Sequence, residues 1–242
     1  MKLLVASVLV FAVVAEGISY HSKVGIPAGV IVHFLQIFTS VCGGTLIAPD
    51  SVLTAAHCYS DGSFLAEYFT IVLGSSRLFS GGTRLTTSDV IVHPGWDTIS
   101  YYKFHASTLL RRPDLRNIIG RHASPLIKRS RFDSRWGCTV CNEQRVPFSM
   151  LTSSTFRVIS NLECFAVFGP VISENVLCTS GDGGRGVCDG DTGGPLAVVG
   201  NDGLTLIGIS SFFAANSCDQ GYPSGYTRVG LYLDWINEVL DS

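Results

Sequence analysis

Cys188-Asp189-Gly190-Asp191-Thr192-Gly193-Gly194-Pro195 decides the fold when it is read together with Thr54-Ala55-Ala56-His57-Cys58 far upstream. His57 offers an imidazole, which takes and returns a proton near neutrality because its free pKa is near 6.5. Thr192 offers a hydroxyl, which can in principle attack a carbonyl once a base takes its proton. The β-branch of Thr192 restricts χ1, so the hydroxyl has few orientations within a tight glycine-rich turn. An imidazole and a hydroxyl so far apart in sequence can act together only if the fold brings them to one place.

Working outward from these two stretches, the chain reads as short strands between glycine-rich turns. Residues 52–56 form a strand that leads into Cys58. Residues 30–38 and 41–47 read as strands around a turn at Thr39-Ser40. Residues 69–73 and 90–92 are further strands, separated by turns such as Gly81-Gly82. Residues 196–199 and 204–210 flank Gly200-Asn201-Asp202-Gly203 as a hairpin. Residues 234–240 read as a helix, with Tyr232, Trp235, Ile236, Val239 and Leu240 forming an apolar stripe at helical spacing. No internal repeat is visible. The expected fold class is all-β, an antiparallel barrel architecture with a C-terminal α-helix.

Composition sets the outer bounds. The 242 residues are 46% hydrophobic, enough for a sizeable core, and the formal net charge of −2 gives no reason to expect a nucleic-acid partner. Lys2 precedes an apolar run over 3–15 that ends in small residues, the pattern of a secretory signal peptide over 1–17. That run is too short to span a bilayer, and no later segment is long and apolar enough. A secreted, extracellular protein with no membrane span is therefore expected, with its eight cysteines committed largely to disulfides. Cys138 and Cys141 form a lone Cys-x-x-Cys. A local disulfide, an intermolecular bridge and a redox pair remain open for them. No second cluster completes a zinc set, so neither metal nor cofactor is expected.

Residues 99–155 break the pattern. Positions 103–145 hold ten of the 17 Lys and Arg but three of the 19 acids. Apolar periodicity is interrupted there by Arg111-Arg112, Arg116, Arg121, Lys128-Arg129, Arg131 and Arg135.

The chain resembles the chymotrypsin-like (trypsin-like) serine proteases, peptidase S1, and most nearly the insect digestive chymotrypsins and collagenases. The resemblance rests on Cys42-Gly43-Gly44-Thr45-Leu46-Ile47, Leu53 to Cys58, His93-Pro94-Gly95-Trp96, Cys188 to Pro195, and Gly221-Tyr222-Pro223-Ser224-Gly225-Tyr226, all in family order. It implies a peptidase S1-like domain over 24–242, built as two six-stranded antiparallel β-barrels with the active site between them. Residues 99–155 are atypical of that domain. The segment has either drifted under weak constraint or comes from a reading-frame or gene-model error. If it is genuine, the first barrel lacks a clean final strand.

By the same resemblance His57 matches the general base and Thr192 the nucleophilic serine. Gly190 and the Thr192 N–H match the oxyanion donors. The orienting aspartate of the family falls on Ala106, within Ala106-Ser107-Thr108-Leu109-Leu110, and a one-residue shift would put His105 there. Asp97 and Asp114 lie too far away to match. Asp191 matches the buried carboxylate that pairs with a new N-terminus, which cleavage after Lys23 would supply from Val24. Gly186 falls at the base of the specificity pocket and implies an apolar preference. Ser211-Phe212-Phe213 matches the strand that pairs with substrate and lines the pocket. Phe213 stands where the family usually has glycine, so its benzyl group should obstruct the entrance, with the small Ser224 on the opposite wall. The implied disulfides are Cys42–Cys58, Cys164–Cys178 and Cys188–Cys218.

Two functions follow as expectations. The first is a secreted serine protease homologue, catalytically impaired, that engages a polypeptide substrate, a protease or an inhibitor without cutting. The second is a working chymotrypsin-like digestive endopeptidase that cleaves after apolar residues.

Overall fold

The computed structural model describes residues 26–34, 38–96, 107–111, 151, 153–200, 203–214 and 219–242. The expected signal-peptide segment 1–17, Val24, His105, Ala106, Cys138, Cys141 and Cys218 lie outside the described residues. The described chain forms two curled antiparallel sheets and a short C-terminal helix.

The first sheet contains β1 (Ile26–Phe34), β2 (Phe38–Ala48), β3 (Ser51–Ala55), β4 (Tyr68–Leu73), β5 (Thr83–Thr87), β6 (Val90–Val92) and β7 (Ser107–Arg111). Its order is β5-β4-β1-β2-β3-β7-β6. The second contains β8 (Val158–Ile159), β9 (Val176–Thr179), β10 (Pro195–Gly200), β11 (Gly203–Phe213) and β12 (Ser224–Arg228), in the order β10-β11-β12-β9-β8. The described residues thus give seven and five strands rather than six and six. Helix α1 (Asn161–Phe168) is opened by a capping box, in which Ser160 and Glu163 satisfy each other's backbone N–H groups. Among the described residues no helix is long and apolar enough to cross a membrane.

The first hairpin differs from its sequence reading. Phe34 pairs with Phe38, so the chain reverses between them, and Thr39 and Ser40 pair with His33 and Val32 inside the ladder. Stacking of the Phe34 and Phe38 rings at 4.9 Å closes the hairpin earlier than expected. The β-branched Thr39 is at ease in a strand.

A second correction concerns the basic segment. The first sheet has its final strand: β7 runs antiparallel to β3 and to β6, with Leu110 opposite both Val52 and Val90. Leu109 and Leu110 are fully buried in the core formed with Val30, Leu53, Phe69 and Ile71. Two leucines therefore outweigh the surrounding charges, because each strand position is decided by its own face. Leu110→Ala should lower stability by about 2–5 kcal/mol, the range for emptying a closed core site. Urea denaturation of the variant checks this, and a loss below about 1 kcal/mol would show that β7 is not an integral strand.

Helix α2 (Leu233–Asp241) returns over the first sheet. Tyr232, Ile236 and Val239 are buried in the same core as β1–β4, as the apolar stripe at spacing 4 and 3 requires. The last element of the chain thereby ties the second half to the first.

Candidate active site

His57 lies in a single 3₁₀ turn, Ala56–Cys58, that begins where β3 ends. Pairing of β3 on both edges fixes the point at which this turn leaves the sheet. The Cys42–Cys58 disulfide ties the turn back to β2. The Nδ1 atom of His57 is buried. Trp96 meets the imidazole edge-to-face, with centroids 4.9 Å apart and planes at 75°.

The Thr192 loop is held from both halves of the molecule. The N–H of Gly43, on β2, donates to the Thr192 carbonyl at 2.7 Å. The N–H of Gly193 donates to the Ser210 carbonyl at 2.8 Å, and the Ser210 N–H donates to the Gly194 carbonyl at 2.8 Å. Cys58 Sγ lies 3.6 Å from the Thr192 carbonyl oxygen, so the residue after His57 touches the backbone of Thr192. The fold therefore brings the two distant motifs to one seam. Three glycines allow this approach. A Cβ on Gly43 would come within 2.6 Å of Gly194 Cα, and a Cβ on Gly193 would overlap Thr54 Oγ1 and the Gly43 carbonyl. Sequence reading missed this interlock of Gly43, Thr54, Gly193 and Gly194, although paired glycines in both motifs were its visible signal.

Gly190, the expected oxyanion donor, has φ +90°, which glycine adopts without strain. Asp191 is 4% exposed and its Oδ2 accepts from the Cys188 N–H at 2.9 Å. The carboxylate thus closes the turn 188–191, where the Asp191 N–H also donates to the Cys188 carbonyl at 3.0 Å.

Two of the expected pocket residues, Phe213 and Ser224, lie on one strand pair, β11 and β12. Gly186 and Val187 are buried, and the Val187 N–H donates to Ser224 Oγ at 2.9 Å. Phe213 pairs directly with Ser224, after a bulge at Ser211 in β11. Residues directly opposite in an antiparallel pair point to the same face. Phe213 and Ser224 are therefore cross-strand neighbours, not residues on facing walls. The half-buried Phe213 ring packs against the cluster of Leu177, Val187, Leu196 and Tyr226. Phe212 takes the other face, and a Cβ on Gly225 would overlap its ring. Phe168 meets that ring edge-on at 5.1 Å.

The Cys164–Cys178 bridge joins α1 to β9. Cys188 is disulfide-bonded, and its expected partner Cys218 lies outside the described residues. Among the described residues no group of three His, Cys, Asp or Glu side chains is placed to hold a metal ion.

Comparison with known proteins places this geometry. The trypsin family model matches residues 27–236. Brachyurin from Leptuca pugilator is 32% identical over 205 residues, covering 81% of this chain and 85% of the relative. Chymotrypsin-like elastase family member 1 from Canis lupus familiaris is 30% identical over 216 residues, covering 83% and 81%. Serine protease 1 from Drosophila melanogaster is 32% identical over 209 residues, covering 81% and 74%. A solved HL collagenase structure superposes with a TM-score of 0.67 at 22% identity, covering 100% of this chain and 99% of the other, which is a likeness of fold.

Proposed function

The chain belongs to the trypsin family, and on that premise we propose that it is a secreted serine protease homologue whose proteolytic power is lost or very low. It binds a polypeptide, either a substrate-like segment or a protease or inhibitor, in a cleft that no longer cuts. The observation that supports this reading is the packing of Phe213, paired with Ser224, against the cluster of Leu177, Val187, Leu196 and Tyr226; on this reading its ring takes the space that a substrate side chain would need. Two sequence facts support it. Thr192 replaces the serine, and its extra methyl competes for room in a loop pinned at 2.7–2.8 Å on either side. Ala106, at the aspartate position, carries no carboxylate to fix the imidazole tautomer or stabilise imidazolium. In serine proteases, loss of that group costs about 10⁴ in turnover.

One observation favours the second reading, an active chymotrypsin-like endopeptidase. The loop backbone is assembled around Gly190 and Thr192, and a hydroxyl is present. Chymotrypsin-type chromogenic peptides separate the two. The folded chain, with its N-terminus verified by mass, should turn them over at least about a hundredfold more slowly than an intact relative. Turnover inside that margin would establish the endopeptidase instead. Export is supported by the apolar run over 3–15. It predicts that the N-terminus of the exported protein follows Ala15 or Gly17.

A further inference from the structure

The motif His93-Pro94-Gly95-Trp96 bridges the start of α2 and the His57 ring. At one end, the His93 ring is held by Tyr232 and Trp235 at the start of α2, at centroid distances of 4.9 and 5.1 Å and interplanar angles of 80° and 74°. At the other end, Trp96 lies against the ring of His57. Between them the turn is closed by two bonds. The Trp96 N–H donates to the His93 carbonyl at 2.9 Å, and the Gly95 N–H donates to His93 Nδ1 at 2.9 Å. The second bond requires Nδ1 to be unprotonated. In the imidazolium both ring nitrogens are donors, so protonation would set an N–H against the Gly95 N–H.

We infer that the turn 93–96 is a proton-sensitive latch that positions the ring of His57, closed while His93 is neutral and opened when His93 gains a proton. Trp96 is the positioning residue and His93 the element that holds it. The latch acts on the imidazole itself, whether or not Thr192 attacks anything. Among the described residues Tyr232 is the titratable side chain facing His93, and burial raises its phenol, so it stays neutral throughout. Asp234 and Glu238 of α2 are exposed. No charge from β6 or from the turn itself faces the ring.

Burial lowers the proton affinity of His93 below its ordinary value of 6.5. Between that lowered value and 6.5 the unfolded chain binds more protons than the folded one. The stability contributed by neutral His93 is thus fully present above 6.5 and is lost as pH falls through that window. His33, stacked on Tyr68 and 3.0 Å from Thr70 Oγ1, is lowered for the same reason and adds to the same trend. A global melting curve cannot separate the two histidines, so the test must be local.

The test is NMR of the intact chain from pH 8 to pH 5. Cross-relaxation between the Trp96 indole and His57 ring protons should be present at pH 8. It should vanish together with the Gly95 amide shift, on the titration curve of His93 and below pH 6.5. In His93→Gln, whose side-chain oxygen accepts from Gly95 without titrating, the contact should survive to pH 5. Survival of the contact through the His93 titration in the unaltered chain would overturn the latch. So would its loss at the same pH in His93→Gln, which would assign the opening to His57's own protonation. If His93→Gln does not fold, the unaltered chain still decides: a Gly95 amide that follows the His57 curve instead of the His93 curve refutes the proposal. Because the readout is a ring contact and not turnover, its failure leaves the question of proteolysis where it stood.

Discussion

Thr192→Ser, Ala106→Asp and Phe213→Gly introduced together should raise kcat/KM toward apolar peptides by about 10⁴ or more over the natural chain, while Thr192→Ser alone recovers little. Members of a catalytic unit do not contribute independently. A serine oxygen at the Thr192 position gains rotational freedom, but on the proposed reading Ala106 still supplies no carboxylate to set the imidazole tautomer and stabilise its charge. Asp at position 106 supplies that group in the segment immediately before β7, whose first residue, Ser107, pairs with Ala55 beside the His57 turn. Removing the Phe213 ring clears the face it shares with Ser224. The gain of the triple variant should therefore exceed the product of the three single gains. kcat/KM for the single, double and triple variants checks this, after N-terminal processing is confirmed by mass. A robust protease from Thr192→Ser alone would mean that Ala106 is not the decisive loss, with His105, Asp97 or another carboxylate in the role. A folded but inert triple variant would direct attention to activation, namely the Lys23-Val24 junction and the pairing with Asp191 that the family resemblance implies.

Much of this was legible in the sequence because period and punctuation carried it. The strands around His57, the 196–210 hairpin and the C-terminal helix follow from alternation, glycine pairs and a helical stripe, and they stand where those signals put them. The first turn was misplaced because Thr39-Ser40 carries turn chemistry, whereas the aromatic pair Phe34 and Phe38 decides the register. Strand β7 was obscured because five strand residues sit within a basic segment whose composition dominates any wider window. At the site, the identities of His57 and Thr192 were readable, but their neighbours were not. The packing of Phe213 depends on a bulge at Ser211, which sets the pairing with Ser224. The contact of Trp96 with His57 joins elements distant in sequence and leaves no periodic trace.

Gly193→Ala should cost about 3–5 kcal/mol and release the Thr192 loop from the first sheet. Two penalties combine. The residue has φ +88°, where an L side chain is strained. A Cβ would also overlap Thr54 Oγ1 and the Gly43 carbonyl oxygen, and it would come within 3.2 Å of the Ala55 N. Neither neighbour can withdraw cheaply. Thr54 is fully buried with its hydroxyl donated to the Gly43 carbonyl at 2.8 Å, and the Gly43 N–H is committed to the Thr192 carbonyl. Adding Thr54→Ala should restore part of the loss, since it removes the side-chain clash but not the backbone one. The coupling is read from a double-mutant cycle in urea. Gly230→Ala is the control: nothing lies within 4 Å of its Cβ and its φ is not positive, so it should stay within about 0.5 kcal/mol of the natural chain. If Gly193→Ala unfolds with the same midpoint as Gly230→Ala, the close approach of the two sheets at this seam is not what holds Thr192 beside the His57 turn. The geometry on which both readings of the cleft depend would then need another cause.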